Sequence, residues 1–331
     1  MSWWRFLGSA GSVALLLGGL AWPAEAGTSW SSPHGLSRVG VRALAPAVAA
    51  AGNGDATVVW RQATTSGYRL LVSRRAGGGA WNDPVRLPGV VHRRSTYDVA
   101  MSAKGTTVVW IWAHRVRVSR YLGDAGWSRP VALNRKNTHA SEVDVAMNHR
   151  GGITVVWSQA KTRYVREKVV AVKRPAGGHW GRPTTVSGKT SPQRHDFLPQ
   201  VAMGSRGTTT VAWLRDDYRA ENCKVMVARR TRNATRWPMP TKLPHSPNAC
   251  HIPPWVAMNR RGDAALTWEA SYSEGGVDPF IVSAVRPKGD GSWHVHRHPE
   301  IAHNEFGQGV GGLAIDEAGD SASRGSRARQ T

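Results

Sequence analysis

Cysteine is almost missing from this chain: Cys223 and Cys250 are the only two in 331 residues. That excludes a disulfide-framework protein and leaves room for a single bridge, which an oxidising compartment would permit. After the first 26 residues no segment is apolar enough for a membrane-spanning helix, so the mature chain is expected to lack one. Acidic side chains are scarce. The chain has 22 Asp and Glu against 44 Lys and Arg, a formal net charge of +22, and 35 of those cations are arginine. Such a charge favours anionic partners, among them acidic polysaccharide, cell-surface polymer or lipid. An Arg-, Ala- and Gly-rich composition also fits a GC-rich bacterial genome. No phosphate-cradling glycine loop, zinc-hydrolase helix or Gly-x-Ser-x-Gly elbow occurs, and no cofactor or metal is implied. No nucleic-acid-reading module is present either, so no specific nucleic acid is expected as a partner.

What the chain does have is 36 Gly, 19 Pro and 16 Trp. With many Val and Thr, that mix points to short strands joined by turns. Residues 1–26 read as a secretory signal: Arg5, a short apolar stretch Phe6 to Leu20, then Ala24-Glu25-Ala26 as the cleavage signature. A secreted, extracellular protein is expected. An uncleaved anchor is the competing reading, and the shortness of the apolar stretch argues against it.

A repeat decides the architecture. Five segments run from a Val-Ala pair to a tryptophan: Val48 to Trp60, Val99 to Trp110, Val145 to Trp157, Val201 to Trp213 and Val256 to Trp268. A glycine falls six residues after each valine, at Gly54, Gly105, Gly151, Gly207 and Gly262. A second tryptophan follows in each unit (Trp81, Trp127, Trp180, Trp237, Trp293), usually running into proline. Each unit therefore reads as four strands. Strand one is Val-Ala-Met, the glycine supplies a positive-φ turn, strand two ends on the first tryptophan, and strand four starts near the second. Units of this size bury too little alone, whereas radial stacking of four-stranded sheets shares a core and protects edges. The expectation is an all-β propeller of about six blades, five complete, filling residues 27–320, with the tryptophans wedged between blades. The sixth blade is incomplete and shared by both termini: Trp30-Ser31-Ser32-Pro33 supplies a fourth strand and Leu313-Ala314-Ile315 a first strand. Its second and third strands are not evident, and residues 321–331 read as a disordered Ser/Arg-rich tail, which suggests a truncated end.

The unit resembles the tandem repeats of secreted actinobacterial propeller-like proteins described as sialidase-like or BNR-repeat-like. The resemblance rests on Val256 to Trp268 and on Arg174-Pro175-Ala176-Gly177-Gly178-His179-Trp180-Gly181-Arg182-Pro183. It implies a propeller and little about activity. The sialidase Asp-box is only partly matched, as in Lys288-Gly289-Asp290-Gly291-Ser292-Trp293. The Phe/Tyr-Arg-Ile-Pro motif is absent, and neither an arginine triad nor a Tyr-Glu pair can be placed.

Loops joining strands two to three, and strand four to the next strand one, emerge on one side of such a ring. Binding residues concentrate on loops of this kind. They carry His92, His139, His195, His251 and His303, with Asp98, Glu142, Asp144 and Asp196 nearby. Arg215-Asp216-Asp217-Tyr218 and Glu269 to Glu274 lie on the neighbouring loops. The candidate ligand-binding set is His92, His139, His195, Asp196, Arg215, Asp216, Asp217, Tyr218, His251 and Glu269. Asp98 and Asp144 are equally readable as strand-lead-in features of the repeat. Cys223 and Cys250 fall on the same side and could bridge. His294, His296 and His298 share one strand face, where solvated side chains are the ordinary outcome. Asn233-Ala234-Thr235 fits a glycosylation acceptor and carries little weight in a bacterial host. The leading functional expectation is a secreted module that holds a glycan or anionic surface polymer on its loop face. The alternatives are a glycan-active hydrolase or lyase using loop carboxylates and histidines, and a truncated product with no activity. Oligomeric state is not legible.

Overall fold

The computed structural model describes residues 32–89, 91–92, 95–162, 166–188, 194–217, 220–245, 252–270, 280–298, 310–317 and 321–325. The expected signal segment, Trp30, Ser31, Tyr218, Cys250, His251 and His303 lie outside them. No helix among the described residues is long and apolar enough to cross a membrane.

Blade one comprises β1 (Ala43–Ala50), β2 (Ala56–Thr64), β3 (Gly67–Arg75) and β4 (Val85–Arg86). Blade two comprises β5 (Tyr97–Ser102), β6 (Gly105–Trp112), β7 (Arg115–Arg120) and β8 (Val131–Ala132). Blade three has β9 (His139–Met147), β10 (Ile153–Ala160), β11 (Lys168–Arg174) and β12 (Thr184–Thr185). Blade four has β13 (Arg194–Met203), β14 (Thr209–Asp217), β15 (Ala220–Arg230) and β16 (Thr241–Lys242). Blade five has β17 (Trp255–Met258), β18 (Ala264–Ala270), β19 (Phe280–Arg286) and β20 (His294–His298). Each is an antiparallel sheet in sequence order, and β21 (Val310–Ile315) pairs with β22 (Ser321–Gly325) as a two-stranded sixth sheet. Strand one of every sheet lines a common central cavity of about 160 Å³. The chain is an all-β propeller, with five complete blades around that axis.

The five repeated glycines all sit at positive φ, from 83° at Gly151 to 130° at Gly105, so each hairpin uses the residue that tolerates it. Second strands such as β10 are buried on both faces, which suits the unbroken run Thr154-Val155-Val156-Trp157. Four of the core tryptophans share a hydrophobic cluster with the preceding blade. Trp110 clusters with Val59, Leu70 and Val72 of blade one, and Trp157 with Val109 and Val118 of blade two. Trp213 clusters with Val156 and Ala171 of blade three, and Trp268 with Leu214 and Val225 of blade four. The wedges between blades are therefore filled by the repeated side chain itself.

Polar staples reinforce the same joints at two levels. Mid-strand, Asp98 Oδ2 accepts from the Val145 N–H at 3.0 Å and Asp144 Oδ2 from the Val201 N–H at 2.6 Å. Nearer the turns that join strands one and two, third-strand cations reach the next blade. Arg74 Nε donates to Thr106 Oγ1 at 3.2 Å, Lys173 Nζ to the Gly207 carbonyl at 3.4 Å, and Arg229 Nη2 to the Gly262 carbonyl. Asp98 and Asp144 thus serve strand docking, the second of their two sequence readings.

Two expectations need correction. The continuous fourth strand starts beside the second tryptophan only in blade five, at His294; in blades one to four it is two residues long and begins four residues after the tryptophan, although Trp81 and Trp127 each make an isolated bridge at the end of the third strand. The physical reason is proline: Pro84, Pro130, Pro183 and Pro240 stand before those short strands and lack the N–H a ladder needs, whereas His294–His298 precedes its proline. The second correction concerns residues 321–325, read as tail but paired as β22 along β21. The open edge of β21 supplies backbone donors and acceptors, and pairing through these does not require apolar side chains. Towards the other end, residues 34–38 line one surface recess together with Trp81–Pro84 of blade one. Arg260 spans the narrow sixth sector. Its guanidinium comes within 3.9 Å of where a Cβ on Gly52 of blade one would stand, and it lies 3.8 Å from Glu317.

Candidate functional site

A concentrated polar cluster lies on the loop face where blades three and four meet. Its strands run further than expected: β13 starts at Arg194 and β14 ends at Asp217, so His195, Asp196, Arg215, Asp216 and Asp217 are strand residues rather than loop residues. A bulge makes this possible. Pairing skips from Phe197–Leu214 to Gln200–Ala212, which parks Pro199 where no N–H is required. Leu198, at φ 50°, and Glu142, at φ 54°, stand at the same repeat position, three residues before the repeated valine. Ala45 of blade one does the same at φ 48°.

Side chains from four strands and one loop converge there. Glu167, at the end of the β10–β11 loop, accepts from Ser141 Oγ at 2.8 Å through Oε1 and meets His195 Nε2 at 2.6 Å through Oε2. Glu142 Oε2 accepts from Ser158 Oγ at 2.8 Å and from the Leu198 N–H at 2.6 Å. Asp196 is fully buried; its Oδ1 accepts from Trp213 Nε1 at 2.8 Å and Arg215 Nε at 2.6 Å, while Arg194 Nε lies 3.3 Å from Oδ2. Arg215 Nη2 also donates to the Ser187 carbonyl at 3.0 Å. His195 pairs with Asp216 across the ladder, so the Asp216 charge is a near neighbour.

The electrostatics follow from this packing. Burial above all, then the Glu167 charge, pushes the Glu142 carboxyl above its ordinary range, partly offset by the Leu198 and Ser158 bonds. For His195 burial works against the charged ring. The bond and charge of Glu167, joined by Glu142 and Asp216, outweigh it and raise the imidazole above 6.5. The cluster therefore combines an imidazole that favours its proton with a carboxyl that resists losing its own. Such a pair can bind polar groups or exchange a proton with one.

Of the sequence candidates, His195, Asp196, Arg215 and Asp216 come together here. His92 is exposed on blade one, its carbonyl accepting from Arg61 Nη1 at 3.4 Å. His139 begins β9 with its ring 4.5 Å from that of His114. Glu269 sits on β18, opposite Ile281. His139 lies two residues before Ser141 on β9, whereas His92 and Glu269 belong to blades one and five. Asp217 closes β14, while Tyr218 and His251 lie outside the described residues. Cys223 is buried, and no free thiol occurs among the described residues. His294 Nε2 bonds Asp290 and His298 Nε2 bonds Ser283 at 2.8 Å. No metal-holding group of His, Cys, Asp and Glu forms among the described residues. Sequence reasoning missed Glu167, Ser141 and Ser158. Glu167 lies in a variable loop with no repeat signature, and only the packing of β9 against β13 shows its role.

No protein-family model matches the chain and no curated protein matches it. Among solved structures it is similar to an α-L-arabinanase from Penicillium chrysogenum, at 14% identity over 78% of this chain and 82% of that one, with TM-score 0.49. A polysaccharide lyase is similar at 12% identity over 73% and 70%, TM-score 0.48. The six-bladed, fucose-recognising lectin of Aleuria aurantia is similar at 11% identity over 77% of each, TM-score 0.46.

Proposed function

We propose that the loop face binds a glycan at the cluster above blades three and four. Asp216, His195 and Arg194 present acceptors and donors to sugar hydroxyls, and Glu142, Glu167, Asp196 and Arg215 hold them in place. The observation carrying this reading is that the buried members are bonded to one another while side chains at the rim stay partly open. Such preorganisation lowers the ordering cost of binding. Four carboxylates stand there against two guanidinium groups and one imidazole. That balance suits a polar, uncharged sugar better than a polyanion. The test is an array of neutral and acidic glycans presented to the full chain at low and high salt. Retention of neutral glycans at high salt supports the proposal, and loss of all binding at high salt counts against it.

A second reading, a glycan hydrolase, is favoured by one specific observation: Glu142 tends to keep its proton beside a second carboxylate, Glu167. Against it, both are already committed to serine, histidine and backbone partners. Release of reducing ends from a bound glycan, lost in Glu142→Gln, distinguishes this reading from plain binding.

A further inference from the structure

Cations recur on the turn face of the ring. On the face opposite the Glu167–His195 cluster, each complete blade turns twice, between strands one and two and between strands three and four. The inner turns of blades two to five present Lys104, Arg150, Arg206, and Arg260 with Arg261, all exposed. These turns border the mouth of the central cavity, whose lining reaches His149, Ser205 and Arg260. Further out, Arg74, Arg120, Lys173 and Arg229 occupy one register position, opposite Thr57, Thr107, Thr154 and Thr210, each three residues before a core tryptophan. Cationic side chains thus recur with the repeat instead of scattering over the surface.

Carboxylates on this face are largely committed. Asp55 is bonded to Arg74 at 2.9 Å and to the Gly77 N–H at 2.8 Å. Asp263 is bonded to Asn259 and to the Lys288 N–H, both at 2.6 Å, and Glu317 lies beside Arg260. The cations crowd one another. Burial and the charges of Arg150 and Arg260 lower His149, while burial and Arg230 bring Lys173 down to about 8. Burial and Arg286 bring Arg229 down to about 10, and burial and Arg120 lower Arg174.

We propose that this turn face is a second binding site, for a linear acidic polysaccharide whose carboxylate or sulfate groups meet Lys104, Arg150, Arg206 and Arg261 around the cavity mouth. The cations sit on turns of four different blades. A single small anion meets one turn, whereas a chain with repeating charges can engage several. Arginine's planar fork suits carboxylate and sulfate oxygens. None of the four inner turns carries a large apolar side chain to enter a bilayer, which favours a polymer over a membrane. This site is separate from the loop-face glycan site, and each can fail without the other.

The test uses the full chain with polygalacturonate, dextran sulfate, neutral dextran, and phosphatidylglycerol vesicles, at about 50 and about 300 mM salt. The quadruple variant Lys104→Gln, Arg150→Gln, Arg206→Gln, Arg261→Gln is compared with a charge-matched control, Arg69→Gln, Arg86→Gln, Arg129→Gln, Arg135→Gln, all exposed positions elsewhere. Thermal melting checks that both fold. The expected result is a loss on the order of tenfold or more for the two acidic polysaccharides in the turn-face variant, with a shallower salt dependence. The control should lose much less. Equal losses in both variants, no loss in the turn-face variant, or binding to vesicles without binding to either acidic polysaccharide would overturn the proposal.

Discussion

Glu142 and Leu198 occupy the same position in successive repeats, both in left-handed backbone conformation, and the carboxylate of the first accepts the N–H of the second at 2.6 Å. One bulge is thereby fastened to the next within the polar cluster. Removing the acceptor leaves a partly buried N–H unpaired, so Glu142→Ala is expected to cost about 1–3 kcal/mol. Glu142→Gln keeps an acceptor oxygen, sheds a charge that burial disfavours, and should cost clearly less. Urea denaturation of the two variants checks the order.

Stability should also respond to pH through His195. Its folded-state pKa is raised above 6.5, so its contribution is fully present below that value and is lost as pH rises through the folded-state pKa. The raised Glu142 carboxyl acts in the same direction, because ionising it costs more in the folded chain. The wild-type melting temperature should therefore fall between slightly acidic and slightly alkaline pH more steeply than that of His195→Gln. Parallel curves would show that the Glu167 pairing contributes nothing.

The blade joints give a third prediction. Trp157 is fully buried in a cluster drawn from blades two and three. Trp157→Ala should cost about 3–5 kcal/mol, as truncation of buried aromatics does. Trp213→Phe keeps most of the volume but removes one donor to buried Asp196. It should cost about 1–3 kcal/mol and loosen Arg215 as well. Denaturant midpoints with unchanged slopes would report these as losses of stability alone.

A bridge between Cys223 and Cys250 would close a loop of ~26 residues and stabilise the chain by at most about 3 kcal/mol in the chain-entropy picture. The expected mass of the unreduced protein is two hydrogens below that of the reduced form, and reduction should lower the melting temperature. Alkylation of two thiols without prior reduction would contradict the bridge.

The architecture was legible because the repeat writes it several times over. Gly54, Gly105, Gly151, Gly207 and Gly262 mark equivalent turns, and the core tryptophans mark equivalent joints, so one unit corroborates another. Length of pairing was less legible. Pro199 reads as a break, and only a bulge lets β13 continue to Arg194, which moved His195 and Asp196 from loop to strand. The short fourth strands follow from prolines visible in the sequence, which confine continuous pairing to residues beyond the tryptophans in blades one to four. Glu167 could not be found, because its partners Ser141 and His195 are 26 and 28 residues away and meet it only through blade packing. The positive charge was plain as a total. Its recurrence on the turn face depends on the register that puts Arg74, Arg120, Lys173 and Arg229 at one level.

The most direct measurement is glycan-array binding at high salt for the wild type beside His195→Gln with Asp216→Asn, both first shown to be folded. The account predicts that wild-type binding to a neutral glycan survives high salt and is lost in the double variant, while acidic polysaccharide binding at low salt is kept. Neutral-glycan binding unchanged in the double variant, or none in the wild type, would contradict it.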